Sequence, residues 1–348
     1  MKTLIVGKNG SLSFGEAPTP EYGEYQALVK MISCGVCNGT DVKLIHGKFK
    51  GFAYENDYPL MLGHEGVGRV VEVGSKVCGF KIGDAVLLPF VDTVGDLKSG
   101  WGAFSEYGVV NDAAALKRDG IAQGNPLYPE GADAQNVVPP DIDPVDAVMI
   151  VTLREVLSSI KTFGFGPNES AAVFGCGPVG LTFIRFMSLL GVNPIIALDI
   201  AEEKLAAALK NGAACAIDAK SADLPAKVRE ICPDGVDYVL DAVGHLPLIN
   251  QSMEFIKDRG KICCYGISPE ESLRLDWSKA PYNWTLCFQQ MPRKNEEGEA
   301  YSQVLAWLRS GAVRLKDFIS DYANFDDVID IFGRVEKRDI ALKCVIKF

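Results

Sequence analysis

The stretch Ala171-Ala172-Val173-Phe174-Gly175-Cys176-Gly177-Pro178-Val179-Gly180 admits few architectures for the middle of this chain. An apolar strand pattern runs into G-x-G-x-x-G and then into an apolar helix pattern. The next strand, Ile195-Ile196-Ala197-Leu198-Asp199, closes on an acidic residue 19 positions after Gly180. Glycine is common, so the motif alone is weak, and its setting between strand and helix is what gives it weight. The glycines permit a tight turn and let backbone N–H groups face a pyrophosphate at a helix N-terminus, while Asp199 can accept from ribose hydroxyls. An aspartate there repels a ribose 2′-phosphate and no Arg adjoins it, which favours NAD over NADP. A doubly wound domain with nothing bound in its crevice would show the same pattern.

From this point strands and helices alternate: strand 171–174, helix 178–190, strand 194–199, helix 202–211, strand 236–243, helix 246–257 and strand 261–267. Such alternation predicts a parallel, doubly wound sheet. Residues 1 to about 110 read differently, as short strands such as 27–32, 68–73 and 85–88 broken by Gly, Pro, Asn and Asp, which predicts a barrel-like β domain. Residues 118–141 read as an exposed loop, and 144–163 as helix. After about 290 two amphipathic helices, 299–310 and 325–336, precede a closing strand, 340–348. A chain of 348 residues exceeds the usual reach of one core, so two domains are expected.

The net charge is −10 with no basic block, which argues against nucleic acid and anionic membrane as partners. No apolar run is long enough to span a membrane, and the opening Met1-Lys2-Thr3-Leu4-Ile5-Val6 reads as a strand, not a signal peptide. The ten cysteines are scattered through mostly apolar segments, an arrangement expected of a reduced, cytoplasmic protein.

A histidine and a glutamate sit together in Gly63-His64-Glu65-Gly66, where glycines allow close approach of other groups. The pair suits a metal, although His-Glu pairs are more often structural. Upstream lies Cys34-Gly35-Val36-Cys37. A C-x-x-C can be half of a structural zinc site or a redox pair. The first needs a second pair of soft ligands and the second a helix N-terminus within a βαβ unit, and neither is evident. Two core cysteines without function are a further reading.

Cys37, Gly63-His64-Glu65, Val71-Glu72-Val73-Gly74 with Gly83-Asp84, and the nucleotide motif at 175–180 together resemble the zinc-dependent medium-chain dehydrogenase/reductase family, on its alcohol and polyol (sorbitol dehydrogenase-like) side. The resemblance spans almost the whole chain. It implies an α/β protein with a GroES-like β-barrel catalytic domain, 1–150 completed by 290–348, and a doubly wound Rossmann NAD-binding domain, 151–289. It makes Cys37 and His64 ligands of one catalytic zinc per subunit, Glu65 a ligand or an exchangeable one, and Glu155 a further acidic ligand or a holder of the zinc-bound water. Asp41 is implied to orient the His64 ring. At the cofactor it implies Gly175, Gly177, Pro178, Val179, Gly180, Asp199, Lys204 and Val243. Substrate-lining residues are expected from loops 49–58, 90–101 and 277–284, and a homodimer or homotetramer from the Rossmann edge, with 284–289 a candidate edge strand.

The chain departs from the family in several places. Where relatives read Cys-x-Ser/Thr-Asp, this chain has Cys37-Asn38-Gly39-Thr40-Asp41, one residue longer, which displaces Thr40, the implied proton-relay hydroxyl. Lys43 stands where a relay histidine is usual, and its ordinary pKa is too high for easy proton exchange at neutral pH. His46 is the nearest substitute, or else a surface residue. No cysteine occurs between about 88 and 112, where many relatives bind a structural zinc, and loop 118–134 is longer than usual. The expected activity is NAD-dependent oxidation of a secondary alcohol: a polyol, cyclitol or sugar derivative. A simple alcohol or amino-alcohol dehydrogenase is the alternative, ahead of a zinc-free quinone reductase or a non-catalytic nucleotide-binding protein.

Overall fold

The apolar strands that begin at residue 171 assemble, in a computed structural model describing residues 1–348, into one parallel sheet of six strands. Its order is Cys215–Asp218, Ile195–Asp199, Ala171–Phe174, Val236–Asp241, Ile256–Cys264 and Trp284–Phe288. Ala171 pairs with Ile195 on one side and Tyr238 on the other, so the direction of strand addition reverses at the first strand. Sheets of this kind bind ligands at such a reversal, beyond the carboxyl ends of the strands. Every residue of Ala171–Phe174 and Ile195–Asp199 is buried, as strands covered on both faces must be. Phe174, Leu198, Val228, Val239, Phe255 and Ile262 belong to the core on one face.

Two elements here escape the sequence pattern, the strand Cys215–Asp218 and the helix Leu224–Ile231. The strand lies at the sheet edge and is only partly buried, so its residues carry no clear apolar run. The helix expected over 246–257 ends at Ser252, because Phe255 and Ile256 are drawn into the sheet core and the next strand starts at Ile256.

The β-rich unit is organised about the strand Gln26–Gly35, which pairs antiparallel with Glu65–Val73, Tyr107–Asn111 and Lys343–Lys347. The closing strand therefore enters the same sheet as residues 26–35, with Val345 opposite Gly35. A second sheet runs in the order Leu12–Glu16, Lys2–Val6, Leu60–Met61, Lys98–Ser99.

The chain divides into two compact units, Met1–Arg154 with Arg293–Ala306 and Arg314–Phe348, and Glu155–Pro292 with Trp307–Val313. The short piece Trp307–Val313 was not expected to join the second unit. It does so because Trp307 packs on Phe186 at 4.7 Å between ring centres and the Arg185 guanidinium donates to the Ala312 carbonyl. No helix is long and apolar enough to cross a membrane.

Candidate metal centre and nucleotide cradle

Cys37 lies in the turn between the strand Gln26–Gly35 and the short helix Asp41–Ile45, and His64 immediately precedes the strand Glu65–Val73. One fully buried carboxylate organises both. Asp41 Oδ2 accepts from the Cys37 backbone N–H at 2.9 Å, and Asp41 Oδ1 lies 3.1 Å from His64 Nδ1. With Nδ1 engaged, His64 Nε2 is left as the coordinating nitrogen. Burial opposes a charged imidazole here, but the Asp41 carboxylate and the Cys37 sulfur outweigh it and hold the His64 pKa well above its usual range. A proton and a metal ion compete for such a nitrogen.

The ligand-type atoms of Cys37, His64 and Glu65 all lie within 4.8 Å of one another. A sulfur, an imidazole nitrogen and a carboxylate gathered this closely are a donor set of the kind zinc takes.

Glu65 has a second partner. Lys343 Nζ donates to both of its oxygens, at 2.8 and 2.7 Å, and Thr152 Oγ1 lies 3.4 Å from Oε1. Glu65 and Lys343 are 2% and 4% exposed, so this pair is buried and must be satisfied internally. Gly35 stands opposite Glu65 in the ladder, and a Cβ there would run into Glu65 Oε2, so this glycine makes room for the carboxylate. Burial alone would raise the Glu65 pKa, but the Lys343 ammonium, His64 and the hydrogen bonds hold it below the usual carboxylate value. Sequence reasoning missed Lys343. The available signal was a cation set between apolar residues, Leu342 before it and Cys344-Val345-Ile346 after it.

Of the remaining expected residues, Thr40 is nearly buried at the start of the helix Asp41–Ile45. Lys43 Nζ donates to the Gly39 carbonyl at 2.8 Å. His46 Nε2 lies 2.8 Å from Glu336 Oε1 on a half-exposed surface, which matches the surface reading of that residue. Glu155 sits on the helix Val148–Phe163 and belongs to the second unit, where its backbone carbonyl accepts from the hydroxyls of Ser158 and Ser159. The three-residue metal group draws on the first unit alone. Two of the loops expected to line a substrate pocket meet beside His64. The Trp101 ring is 5.4 Å from the His64 ring, and Phe49 and Phe52 pack on Trp101 at 6.3 and 6.0 Å.

In the second unit Gly175 turns with φ +90° and Gly177 caps the helix Pro178–Leu189, with Pro178 at its first position and Val179 following. A Cβ on Gly180 would overlap the Gly175 carbonyl oxygen, so only glycine lets the helix start this close to the strand. The free N–H groups of that first turn suit a pyrophosphate. Asp199 Oδ2 accepts from Cys176 N at 2.6 Å, and Oδ1 from Ile200 N and Ala201 N at 2.7 and 3.1 Å. A carboxylate has about four acceptor sites, so three are used in shaping the turn and one is left for a ribose hydroxyl. Lys204 lies in the first turn of the helix Glu202–Lys210, and Val243 is half exposed beyond the strand Val236–Asp241, its N–H donating to Asp241 Oδ1.

Comparison with known proteins covers both units. Residues 23–119 match the alcohol dehydrogenase GroES-like domain, and residues 178–309 match the zinc-binding dehydrogenase domain. A probable S-(hydroxymethyl)glutathione dehydrogenase of Schizosaccharomyces pombe is 30% identical over 275 residues, 70% of this chain and 69% of that protein. A sorbitol dehydrogenase of Bacillus subtilis is 23% identical over 336 residues, 96% of this chain and 93% of the relative. Among solved structures, the 2R,3R-butanediol dehydrogenase of Bacillus subtilis shares the fold at TM-score 0.80 and 21% identity, covering 100% of this chain and 99% of its own. The chain is an oxidoreductase and belongs to the zinc-dependent medium-chain alcohol and polyol dehydrogenase family.

Proposed function

We propose that the protein oxidises a secondary alcohol of the polyol, cyclitol or sugar class with NAD. The observation that carries this is the convergence of Cys37, His64 and Glu65, with Asp41 behind the first two. When bound, zinc supplies a Lewis acid that acidifies an alcohol, and the nicotinamide accepts its hydride. The chain's own part is positional. Cys37 and His64 hold the ion, Asp41 fixes both, and Lys343 decides how far Glu65 can lean toward it. Thr40 Oγ1, displaced by the longer turn, is the hydroxyl that the family resemblance offers for carrying the alcohol proton away. Gly175, Gly177 and Gly180 cradle the pyrophosphate, and Asp199 selects the unphosphorylated ribose. Glu155 remains the candidate further acidic ligand.

The polyol preference draws on similarity to the sorbitol dehydrogenase. The aromatic group Phe49, Phe52 and Trp101 beside His64 favours a second reading, an alcohol with an apolar substituent. The test is a panel of polyols, cyclitols and simple secondary alcohols, run with NAD and NADP on protein of measured zinc content, beside Cys37→Ser. The expected result is turnover with NAD and a polyol, lost with the zinc in the variant. Retention of both zinc and turnover by Cys37→Ser removes the assignment, and turnover confined to apolar alcohols selects the second reading.

Assembly is proposed through the edge strand Trp284–Phe288, which ends the six-stranded sheet and is flanked by exposed Tyr282 and Met291. A cytoplasmic location accords with ten cysteines that all stand as free thiols.

A further inference from the structure

The turn from Cys37 to Asp41 holds one residue more than Cys-x-Thr-Asp, and the structure shows how the extra length is secured. Gly39 lies against the cysteine: a Cβ placed on it would sit 3.9 Å from Cys37 Sγ. Its carbonyl accepts the Lys43 ammonium at 2.8 Å. Of the turn's other ties, two run to Asp41, whose N–H donates to the Cys37 carbonyl at 2.9 Å and whose Oδ2 accepts the Cys37 N–H at 2.9 Å, and one runs from the Leu44 N–H to the Thr40 carbonyl at 2.9 Å. These bonds hold Cys37, Thr40 and Asp41 and leave the Gly39 carbonyl to Lys43. The helix that follows, Asp41–Ile45, has five residues, too few to hold its own shape without tertiary ties.

We propose that Lys43 is a positioning residue of the metal centre: by donating to the Gly39 carbonyl it holds the lengthened turn in the conformation that presents Cys37 Sγ toward His64. The role rests on the zinc reading above. It differs from that of a proton carrier, because the Lys43 Nζ group acts by a fixed hydrogen bond to backbone. It also assigns Gly39 a purpose, since a residue inserted beside a ligand needs its own anchor if the ligand is to stay in register.

The test compares zinc-loaded wild type with Lys43→Met, which removes the donor on a stem of similar length, and Lys43→Arg, which keeps a donor. Zinc transfer to a chromogenic chelator is followed in time, and the thiolate-to-metal absorption of the cobalt(II)-substituted proteins is recorded, with circular dichroism as the check on folding. Partners that orient a ligand typically contribute 10–100-fold in affinity, so Lys43→Met should release zinc about tenfold faster and alter the cobalt spectrum. Lys43→Arg should return both toward wild type. A folded Lys43→Met that matches wild type in release and spectrum overturns the proposal, as does equal loss in the Met and Arg variants. Wild type that retains no zinc removes the metal reading itself, and this role with it.

Discussion

At the scale of single residues, the site turns on how Glu65 is shared. Its two oxygens are held by Lys343, yet one of them lies within 4.8 Å of the Cys37 and His64 donor atoms. The carboxylate stands between the Lys343 ammonium and the donor atoms of Cys37 and His64, which would hold a metal ion. Removing one partner of a buried ion pair costs about 3–5 kcal/mol, so Lys343→Met should lose that much stability in urea unfolding. Lys343→Met combined with Glu65→Gln should recover part of it, because no uncompensated charge is then buried. An unchanged unfolding midpoint in the single variant would show that the pair is hydrated in solution. Asp41 was legible in the sequence as the orienting carboxylate through the family resemblance, which aligns it with Cys37 and His64. Lys343 was not, since it lies 278 residues from Glu65 and only sheet pairing brings them together.

At the scale of elements, two junctions decide local order. In Gly180→Ala the new methyl meets the Gly175 carbonyl, and the helix Pro178–Leu189 must retreat from the strand Ala171–Phe174. Overpacking of this kind costs about 1–3 kcal/mol. The variant should melt earlier than wild type and lose most of its affinity for NAD, as read by quenching of protein fluorescence. The second junction is Asp112, 1% exposed, which accepts from Cys78 N, Gly79 N, Ala114 N and Ala115 N and so caps one helix while closing a turn. Burial would raise its pKa, but the four backbone donors lower it. The contribution to stability is therefore complete above the unfolded value of about 3.9 and is lost as pH falls through the lower folded value. Asp112→Asn should cost about 2–3 kcal/mol at neutral pH and progressively less below about pH 4 in urea titrations. The periodic elements were legible because burial on one face or two leaves a repeating mark. The edge strand Cys215–Asp218 left none, and the early end of the helix Pro247–Ser252 was set by sheet packing at Phe255 and Ile256.

At the scale of the whole molecule, the six-stranded sheet ends on Trp284–Phe288 with one row of backbone groups unpaired and Phe288 52% exposed. An edge of this kind is a template for a second strand. Under the assembly proposed above, Phe288→Lys should shift sedimentation velocity from dimer to monomer while leaving zinc content unchanged. Wild type that sediments as a monomer at micromolar concentration would remove the edge-to-edge assembly. The division into units shows why the closing segments return to the first. Lys343–Lys347 supplies a strand beside Gln26–Gly35, and the same strand supplies the cation for Glu65.

The amino-acid sequence by itself determined the doubly wound sheet, the position of the nucleotide turn and the expectation of two domains, through local periodicity and through glycines that only tight turns require. The returning tail and the ligand roles of Cys37, His64 and Glu65 came from the family resemblance that the motifs carry. Tertiary structure alone decided that Glu65 is held by Lys343, that His46 is taken by Glu336, and that Lys43 ties down Gly39. It also showed that most of the Asp199 carboxylate goes to shaping its own turn. The reason is common to all four. A charged side chain is not directed by sequence periodicity, and its partner is whichever donor or acceptor the folded chain leaves within about 3 Å.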